Sequence, residues 1–492
     1  MKSFLLPLES RELDKFLVEI RKSSPFNDIN ASPFFHLVKP TEENLRKYKL
    51  LRPKSRILLA LEYLALFPLI LLQGLSSVAL SFYSLLEFNS EKELPSGKTV
   101  FLFLSHFTYA QDPKKEDIFF GKNLDFSQSY AFFLNHTRLL STQIKRRFYH
   151  VDKRKVVVNT KALSLFSMIK LHANQLQISW WLFTKSIRRE SLDVTKRRLL
   201  IKAAITQHKR STIANLVLRS RLSETIIRVK PRFLVLTIEG HAHEKILLDM
   251  SKALFKDIKV IGYQHAPIVA GQLNLFRTVS TFSANDYFFT SGDVTKNLAL
   301  DYSLRCKVET LGSPKARLYE YQKKNVSMIQ VLVAPEGTRE SLSQFIDLIN
   351  ELAPSLPNVS FVLRSHPALG NLVHKVARKK LLPRSGVSLS TASLSEDLRR
   401  SHLILFRSSA IAIEGLAFGA IPIHVNLEGN DSLNPLIGSK IDTVGFRSAS
   451  EIIGFIKAFD LKITQDEAFQ KNCYRLFDGY FSKLQSLNDL VH

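Results

Sequence analysis

The chain has 492 residues, a length that predicts two or three domains, and its 45% hydrophobic and 23% charged content excludes a disordered chain. Its 69 lysine and arginine residues against 44 acidic residues give a net charge of +25, which predicts an anionic partner: nucleic acid, anionic lipid or a phosphate-bearing substrate. Only two cysteines, Cys306 and Cys473, occur and no CxxC is present, which argues against a disulfide framework and a structural zinc site and fits a reducing cytosol.

Residues 1–95 predict a helical, membrane-proximal extension. The first residues carry acids where a secretion signal needs an apolar core, so no such signal is expected. Residues 56–88 are apolar and hold no lysine or arginine after the first position, a length that permits one membrane span. Glu62 and Pro68 interrupt this segment. Three interpretations remain open: a buried helix-packing segment, a helix lying on an anionic membrane surface, and a true span.

Short apolar runs alternate with helical patterns from residue 96 onward, which predicts βα units and a parallel sheet. Three of these runs, at 232–244, 258–267 and 286–298, end in polar or glycine residues, and 161–228 predicts long, basic helices. Ligands bind at the carboxyl ends of strands in such sheets. The candidate residues in this first domain, predicted to span 96–312, are therefore Glu239, His241, Gln264, His265, Ser291 and Gly292.

A second βα series is predicted over 313–460, followed by C-terminal helices over 461–492. In PEGTRES, Gly337 and Thr338 stand at a strand-to-helix turn, a position that suits phosphate contact. The turn lacks the G-x4-G-K-[ST] pattern, so no Walker-type loop is present. No G-x-G-x-x-G follows a strand either, which argues against a dinucleotide-binding dehydrogenase.

The segment LILFRSSAIAIEGLAFGAIPIHV, residues 403–425, combines several polar groups at one strand end. Ser408 and Ser409 at the start of a helix predict either an ordinary helix cap or an anion site. The whole segment resembles the donor-binding half of GT-B glycosyltransferases, which have a turn of small hydroxyl residues, a helix with a glutamate and a following G-x-P. The resemblance implies that Glu414 holds the donor's ribose, and a carboxylate can accept two hydroxyl hydrogen bonds.

FVLRSHPALG, residues 361–370, ends a strand with an arginine and a His-Pro pair. His366-Pro367, together with Ser408-Ser409, resembles the motifs of bacterial sialyltransferases and of the related Kdo transferases. The resemblance implies that both pairs contact the phosphate of a CMP-linked donor. Arg364 and Arg407 could add bidentate charge to the same phosphate.

Glu239-Gly240 resembles the D/E-D/E-G motif of the same sialyltransferases, with only the second acid present. The resemblance implies that Glu239 is the general base for an acceptor hydroxyl, a role that His241 or His243 could take instead. A first-turn helix acid is the alternative interpretation of Glu239. Gln264 and His265 lie in a run resembling surface-carbohydrate transferases, which implies that they face the cleft. Taken alone, His265 slightly favours the alternative of a histidine satisfied within its loop.

The sequence therefore predicts an α/β protein of GT-B fold: two Rossmann-like domains facing a cleft, with an N-terminal helical extension. Its expected activity is transfer of a sugar, foremost a CMP-linked acidic sugar, from a nucleotide donor to a glycan or lipid-linked acceptor. No metal and no further cofactor are expected, and the protein is expected in the cytoplasm at the inner face of the membrane. The alternatives are a UDP- or GDP-sugar transferase, a polyol-phosphate transferase or epimerase, and a basic nucleic-acid-binding protein, although no specific nucleic-acid motif is present.

Overall fold

The structure, a computed structural model, divides into two compact units. One comprises residues 1–265, 271–289 and 302–309, and the other 266–270, 290–301 and 310–492. The described residues are 8–36, 61, 64, 68, 72, 75, 100–108, 116–137, 139, 141–148, 150–159, 163–188, 192–269, 272–302, 304–318, 328–366, 369–370, 372–382, 386–426, 434–436 and 445–491.

The larger sheet has seven strands in the order β3-β2-β1-β4-β5-β6-β7. The pairs β1–β2, β1–β4, β2–β3 and β4–β5 are parallel, with Leu104 of β1 opposite Leu236 of β4. After β3 the chain returns to the middle of the sheet and adds β4 on the other side of β1, so the boundary between β1 and β4 is the topological switch point. The strands are β1 (Phe101–Phe107), β2 (Ser129–Asn135), β3 (Val156–Val158), β4 (Phe233–Thr237), β5 (Lys259–Gln264), β6 (Tyr287–Thr290) and β7 (Lys307–Thr310).

The strands of this sheet come from the apolar runs of the sequence. Every residue of β4 is buried, as expected for a parallel strand covered on both faces. The helices of this part of the chain are α1 (Leu8–Lys22), α2 (Ser141–Arg147), α3 (Leu165–Arg188), α4 (Val194–Thr206), α5 (Arg210–Val229), α6 (Ala242–Leu254), α7 (Leu273–Val279) and α8 (Asp293–Leu300). Side chains of α1, α3 and α4, among them Phe16, Ile178 and Leu200, form an apolar core of their own with Phe35 from the segment that follows α1.

The smaller sheet has five strands, all parallel, in the order β10-β9-β8-β11-β12. It repeats the same winding, and its switch point lies between β8 and β11. The strands are β8 (Ile329–Ala334), β9 (Val359–Leu363), β10 (Val387–Leu389), β11 (Leu403–Phe406) and β12 (Ile421–His424). The helices are α9 (Arg339–Leu352), α10 (Leu372–Lys380), α11 (Leu394–Arg400), α12 (Ile411–Leu416), α13 (Ala449–Ala458), α14 (Glu467–Tyr480) and α15 (Leu487–Val491).

Two parallel-sheet α/β units confirm the GT-B-like fold class expected from the sequence. The proposed boundary between residues 312 and 313 stays a prediction. The apolar segment at 56–88 lies outside the described residues except for Leu61, Leu64, Pro68, Leu72 and Leu75, which are helical and exposed. In the part of the chain that the structure describes, no helix has the length and apolar character needed to cross a membrane.

Candidate active site

The carboxyl edge of the larger sheet gathers polar side chains around its switch point. His106 lies near the end of β1 and His136 directly follows β2, and their rings approach to 2.8 Å between His106 Nδ1 and His136 Nε2. The other ring nitrogen of His106 lies 3.1 Å from the Thr237 hydroxyl at the end of β4. Burial, followed by the charges of His136 and His265, lowers the pKa of His106 to about 4, so this ring is neutral at pH 7.

Glu239 lies two residues beyond β4 between two histidine rings. Its Oε2 is 3.1 Å from His241 Nε2, and its Oε1 is 3.2 Å from His265 Nε2. Burial raises the pKa of Glu239, but the hydrogen bond to His241 and the neighbouring histidine rings outweigh it and bring the pKa to about 2. The same hydrogen bond raises the pKa of His241 above its ordinary value, despite partial burial. The carboxylate therefore stays ionised, and the imidazole takes up the proton.

Access differs between these three side chains. The His241 side chain is 54% exposed, whereas the side chains of Glu239 and His265 are 32% and 21% exposed. A half-exposed imidazole hydrogen-bonded to a fixed carboxylate is the arrangement that orients a general base. The His243 ring stacks on His241 with 5.5 Å between ring centroids, and burial lowers its pKa to about 3, so His243 is neutral.

Glu244, in the first turn of α6, holds the Glu239 loop in place. Its carboxylate accepts backbone N–H groups from Glu239, Gly240 and His241 at 2.7–3.1 Å. Burial raises the pKa of Glu244 to about 7. The side chain of Asn274 donates to the Glu239 carbonyl at 2.9 Å from the other side. The loop is thus fixed through its backbone, which leaves the side chains of Glu239 and His241 free to act.

Gln264 and His265 occupy the neighbouring strand end. Gln264 is the last residue of β5 and is fully buried, and His265 follows it and reaches Glu239. The Phe119 ring meets the His265 ring edge-on, with 4.9 Å between centroids. Of the candidates predicted at this edge, the structure therefore brings Glu239, His241 and His265 into direct contact.

Ser291 and Gly292 have a different environment from the one expected. The Ser291 hydroxyl donates to the Tyr480 carbonyl at 2.9 Å, and a Cβ on Gly292 would meet the Gly479 carbonyl oxygen at 2.4 Å. Both residues are therefore occupied by packing against the end of α14. Their part in a ligand site stays a prediction, and the sequence does not show that a C-terminal helix packs there.

The carboxyl edge of the smaller sheet also carries a polar network at its switch point. Arg407, after β11, forms a fork to the carboxylate of Glu336, after β8, with 2.7 Å between Arg407 Nε and Glu336 Oε1. The Ser408 hydroxyl donates to the same oxygen at 2.6 Å. Burial raises the pKa of Glu336, but the hydrogen bonds from Arg407 and Ser408 outweigh it and hold the pKa below its ordinary value. Glu336 therefore joins the two strand ends as an anion.

Gly337 and Thr338 follow Glu336 in the same turn. Thr338 caps α9, and its hydroxyl accepts the Ser341 N–H at 3.1 Å. Ser408 and Ser409 do not cap the following helix, because α12 begins at Ile411 and Ala410 is its N-cap. The Ser409 hydroxyl instead accepts the Ile411 N–H at 3.4 Å. The expectation that both serines begin a helix at once is therefore corrected by one residue.

Arg364 and His366 follow β9, the strand next to β8. Arg364 pairs with the buried carboxylate of Asp397 and donates to the Ala392 carbonyl at 3.0 Å. His366 is partly buried, and its carbonyl accepts the Leu369 N–H at 2.9 Å. Pro367 lies outside the described residues. The structure thus places Arg364 and His366 on the same edge as Arg407, with Arg364 already held by an acid.

Glu414 lies on α12 and is nearly buried, with 9% of its side chain exposed. Its carboxylate pairs with the ammonium group of Lys315, which also lies over the Phe481 ring. A ribose bound by Glu414 would therefore share the Glu414 carboxylate with Lys315. Among the described residues, no group of three or more histidine, cysteine or acidic side chains is arranged to hold a metal ion.

Sequence reasoning missed several members of these networks, among them His106, His136 and Glu336. Each stands at a strand end, in LSH, LNH and APEG, so the rule that polar residues at strand ends form sites could have identified them. What the sequence did not show was the strand order, which places β1 beside β4 and β8 beside β11.

Comparison with known proteins gives structural similarities only. No family model matches the sequence, and neither does any curated protein. UDP-GlcNAc 2-epimerase from Neisseria meningitidis is 14% identical, with 78% of this chain and 96% of that chain covered and a TM-score of 0.44. The enzyme of the same name from Methanocaldococcus jannaschii is 11% identical, with 73% and 92% covered and a TM-score of 0.44. The pneumococcal O-GlcNAc transferase GtfA is 12% identical, with 56% and 59% covered and a TM-score of 0.38. Because the identities and TM-scores are this low, the similarities do not identify a substrate or a reaction for this chain.

Proposed function

We propose that the protein is a glycosyltransferase that moves a sugar from a nucleotide donor to a hydroxyl group. The larger sheet's edge deprotonates the acceptor, and the smaller sheet's edge binds the donor phosphate. A CMP-linked acidic sugar is the proposed donor, and a surface glycan or lipid-linked glycan at the inner face of the membrane is the proposed acceptor.

One observation carries this proposal: each sheet has its polar network at its own topological switch point. In one, a carboxylate–histidine pair lies beside β4; in the other, an arginine, a serine and a glutamate join β8 and β11. Switch points are where doubly wound sheets bind ligands. A base at one switch point and phosphate-binding side chains at the other are the two functions that sugar transfer from a nucleotide requires.

Within the pair of proposed catalytic residues, His241 is the proton acceptor and Glu239 orients it. The ordering of the two pKa values supports this division, because a carboxylate with a pKa of about 2 is a weak base at neutral pH. Neutral His241 takes the acceptor's proton as the hydroxyl oxygen attacks the anomeric carbon. Glu239 then stabilises the imidazolium, as the acid does in a Ser-His-Asp triad.

On the donor side, His366 and the backbone N–H groups at Gly337–Thr338 are proposed to contact the phosphate. Ser408 joins them when its hydroxyl turns from Glu336 to the phosphate. Arg407 adds positive charge and keeps its fork to Glu336, which holds the guanidinium in one orientation. Arg364 supports the same edge through its pair with Asp397. As the nucleotide departs, these hydrogen-bonding and positively charged groups stabilise the charge that develops on its phosphate oxygen.

A transfer assay tests the proposal. The protein is incubated with CMP-, UDP- and GDP-linked sugars, UDP-GlcNAc among them, with and without glycan acceptors, and the products are separated by mass. The proposal predicts a product that joins sugar and acceptor, and released CMP. His241→Asn should lower its rate by roughly 10²-fold or more, whereas His374→Asn, an exposed histidine on α10, should not change it.

The alternatives give different products in the same assay. An epimerase converts the nucleotide sugar to its isomer without releasing nucleotide, and a UDP- or GDP-sugar transferase releases UDP or GDP. Either result would contradict the CMP-linked donor, and the first would also contradict glycosyl transfer.

A further inference from the structure

Helix α3 carries a row of exposed apolar side chains along its outer face. The row advances in steps of three, four or seven residues, which keeps it on one side of the helix. We name it the α3 seam; its members and exposed fractions are Phe166 (77%), Ile169 (56%), Leu176 (36%), Trp180 (59%) and Ile187 (41%), with the exposed Ala173 between them. The seam runs about 32 Å along the surface, since an α-helix rises 1.5 Å per residue.

The opposite face of α3 accounts for the folding of this helix. Ile178 and Leu182 are fully buried in the core that α3 shares with α1 and α4, and Met168 packs against Ile213 of α5. The helix is therefore held in place without the seam. A continuous exposed row of large apolar side chains, rather than scattered ones, indicates a docking surface.

Charge identifies the partner. The 24 residues of α3 contain no acid, whereas Lys170 and Arg188 are exposed beside the seam. Two copies paired through their seams would bring lysine and arginine together with no acid from α3 to neutralise them. A partner with an apolar interior and an anionic surface fits both features, and a net charge of +25 attracts such a partner at longer range.

We propose that the α3 seam docks the protein onto an anionic lipid surface. The helix lies along the interface, with Phe166 and Trp180 inserted at the boundary between headgroups and acyl chains and Lys170 and Arg188 among the headgroups. The docking proposed for α3 is peripheral, because the helix lies along the surface and does not cross it. The inference rests on the membrane-face location in the proposed function and assigns a surface to it, whereas the transfer chemistry does not depend on it.

The two tryptophans of the chain, Trp180 and Trp181, provide the test. Trp180 lies on the seam, whereas the Trp181 ring meets Phe26 edge-on and lies under the Lys185 ammonium group. Trp181→Phe leaves Trp180 as the single tryptophan, whose fluorescence should resemble that of an exposed indole in buffer. It should shift to shorter wavelength with phosphatidylcholine vesicles containing phosphatidylglycerol, and less with phosphatidylcholine alone. Trp180→Phe, which leaves only Trp181, is the matched control and should not respond.

Vesicle co-sedimentation gives the size of the effect. Ile169→Gln combined with Ile187→Gln should weaken binding to the anionic vesicles by about tenfold, and Leu300→Gln, an equally exposed residue on α8, should leave it unchanged. Undiminished binding by the double variant would overturn the proposal. So would a Trp180 emission that is already that of a buried indole in buffer, since another segment or a second copy would then cover the seam. Transfer to a water-soluble acceptor should persist in the double variant, so loss of docking and absence of transferase activity are distinguishable.

Discussion

Single side chains at the edge of the larger sheet determine where the proton is held. Glu239 lies between His241 and His265, and His106 and His243 beside them are neutral because burial lowers their pKa values. A cluster of histidines around one carboxylate would otherwise bind several protons. With these neighbours neutral, His241 is the histidine whose pKa is raised, and the buried carboxyl of Glu244, which holds the loop, has a pKa of about 7.

The pH profile of the reaction follows from this pair. The His241 pKa is raised, so its neutral, basic form appears only as pH rises through that value, and kcat/KM should rise with it. Glu239→Gln removes the carboxylate that raises this pKa, so the acidic limb should move to lower pH while the maximum rate falls. Asp249→Asn, an exposed acid on α6 paired with Lys245, is the control. An unchanged midpoint in Glu239→Gln would contradict the assigned roles.

The sequence predicts which polar residues stand at the ends of the strands. Glu239, His241, His265, Arg407 and Ser408 follow apolar runs, and the structure finds each in a polar network. The partners of these residues were not predictable. His106 reaches Thr237 and Glu336 reaches Arg407 across neighbouring strands. The order of strands depends on how helices pack over the whole sheet.

Elements position these side chains mainly through the loop that joins β4 to α6. Gly240 adopts φ +87°, and a Cβ there would lie 2.3 Å from the backbone carbonyl carbon of Asn274. Both the left-handed conformation and the close approach of α7 therefore require glycine. The same glycine lets three successive N–H groups point at Glu244.

Gly240→Ala tests this geometry. The variant should displace the loop, lower stability by roughly 3 kcal/mol through steric conflict and backbone strain, and abolish most transfer. Gly370→Ala is the matched control, because Gly370 also has positive φ but a Cβ at that position would have no neighbouring atom within 4 Å. It should cost only about 1 kcal/mol. Denaturant unfolding of both variants measures the difference, and equal losses would show that contact with α7 is unimportant.

Strands and long helices were the most predictable elements. The apolar runs at 232–244 and 258–267 contain β4 and β5, and the basic region at 161–228 contains α3, α4 and all but the last residue of α5. Short elements were harder to predict. Helix α12 has six residues and begins at Ile411, so its N-cap is Ala410 and not one of the two serines. The exposure of the α3 seam could not be predicted from the sequence pattern either, because packing with α1, α4 and α5 decides which face of α3 stays exposed.

At the scale of the whole molecule, the two units have distinct proposed tasks. Each has a parallel sheet wound in the same way and a polar network at its switch point, but one network is rich in histidine and the other in arginine and serine. Substitutions in the two networks should therefore affect different steps. Loss of the first should impair chemistry with nucleotide binding intact, and loss of the second should impair nucleotide binding itself.

Nucleotide binding measured by thermal unfolding tests this division most directly. CMP, CDP, UMP, UDP, GDP and ADP are added to the wild-type protein, His366→Ala and His241→Asn. A ligand at 100 times its dissociation constant adds ~2.7 kcal/mol of stability, a readily measured shift in Tm. CMP should stabilise the wild-type protein and His241→Asn equally, and His366→Ala should lose the response. No shift with any nucleotide, or a response lost in His241→Asn and kept in His366→Ala, would contradict this division.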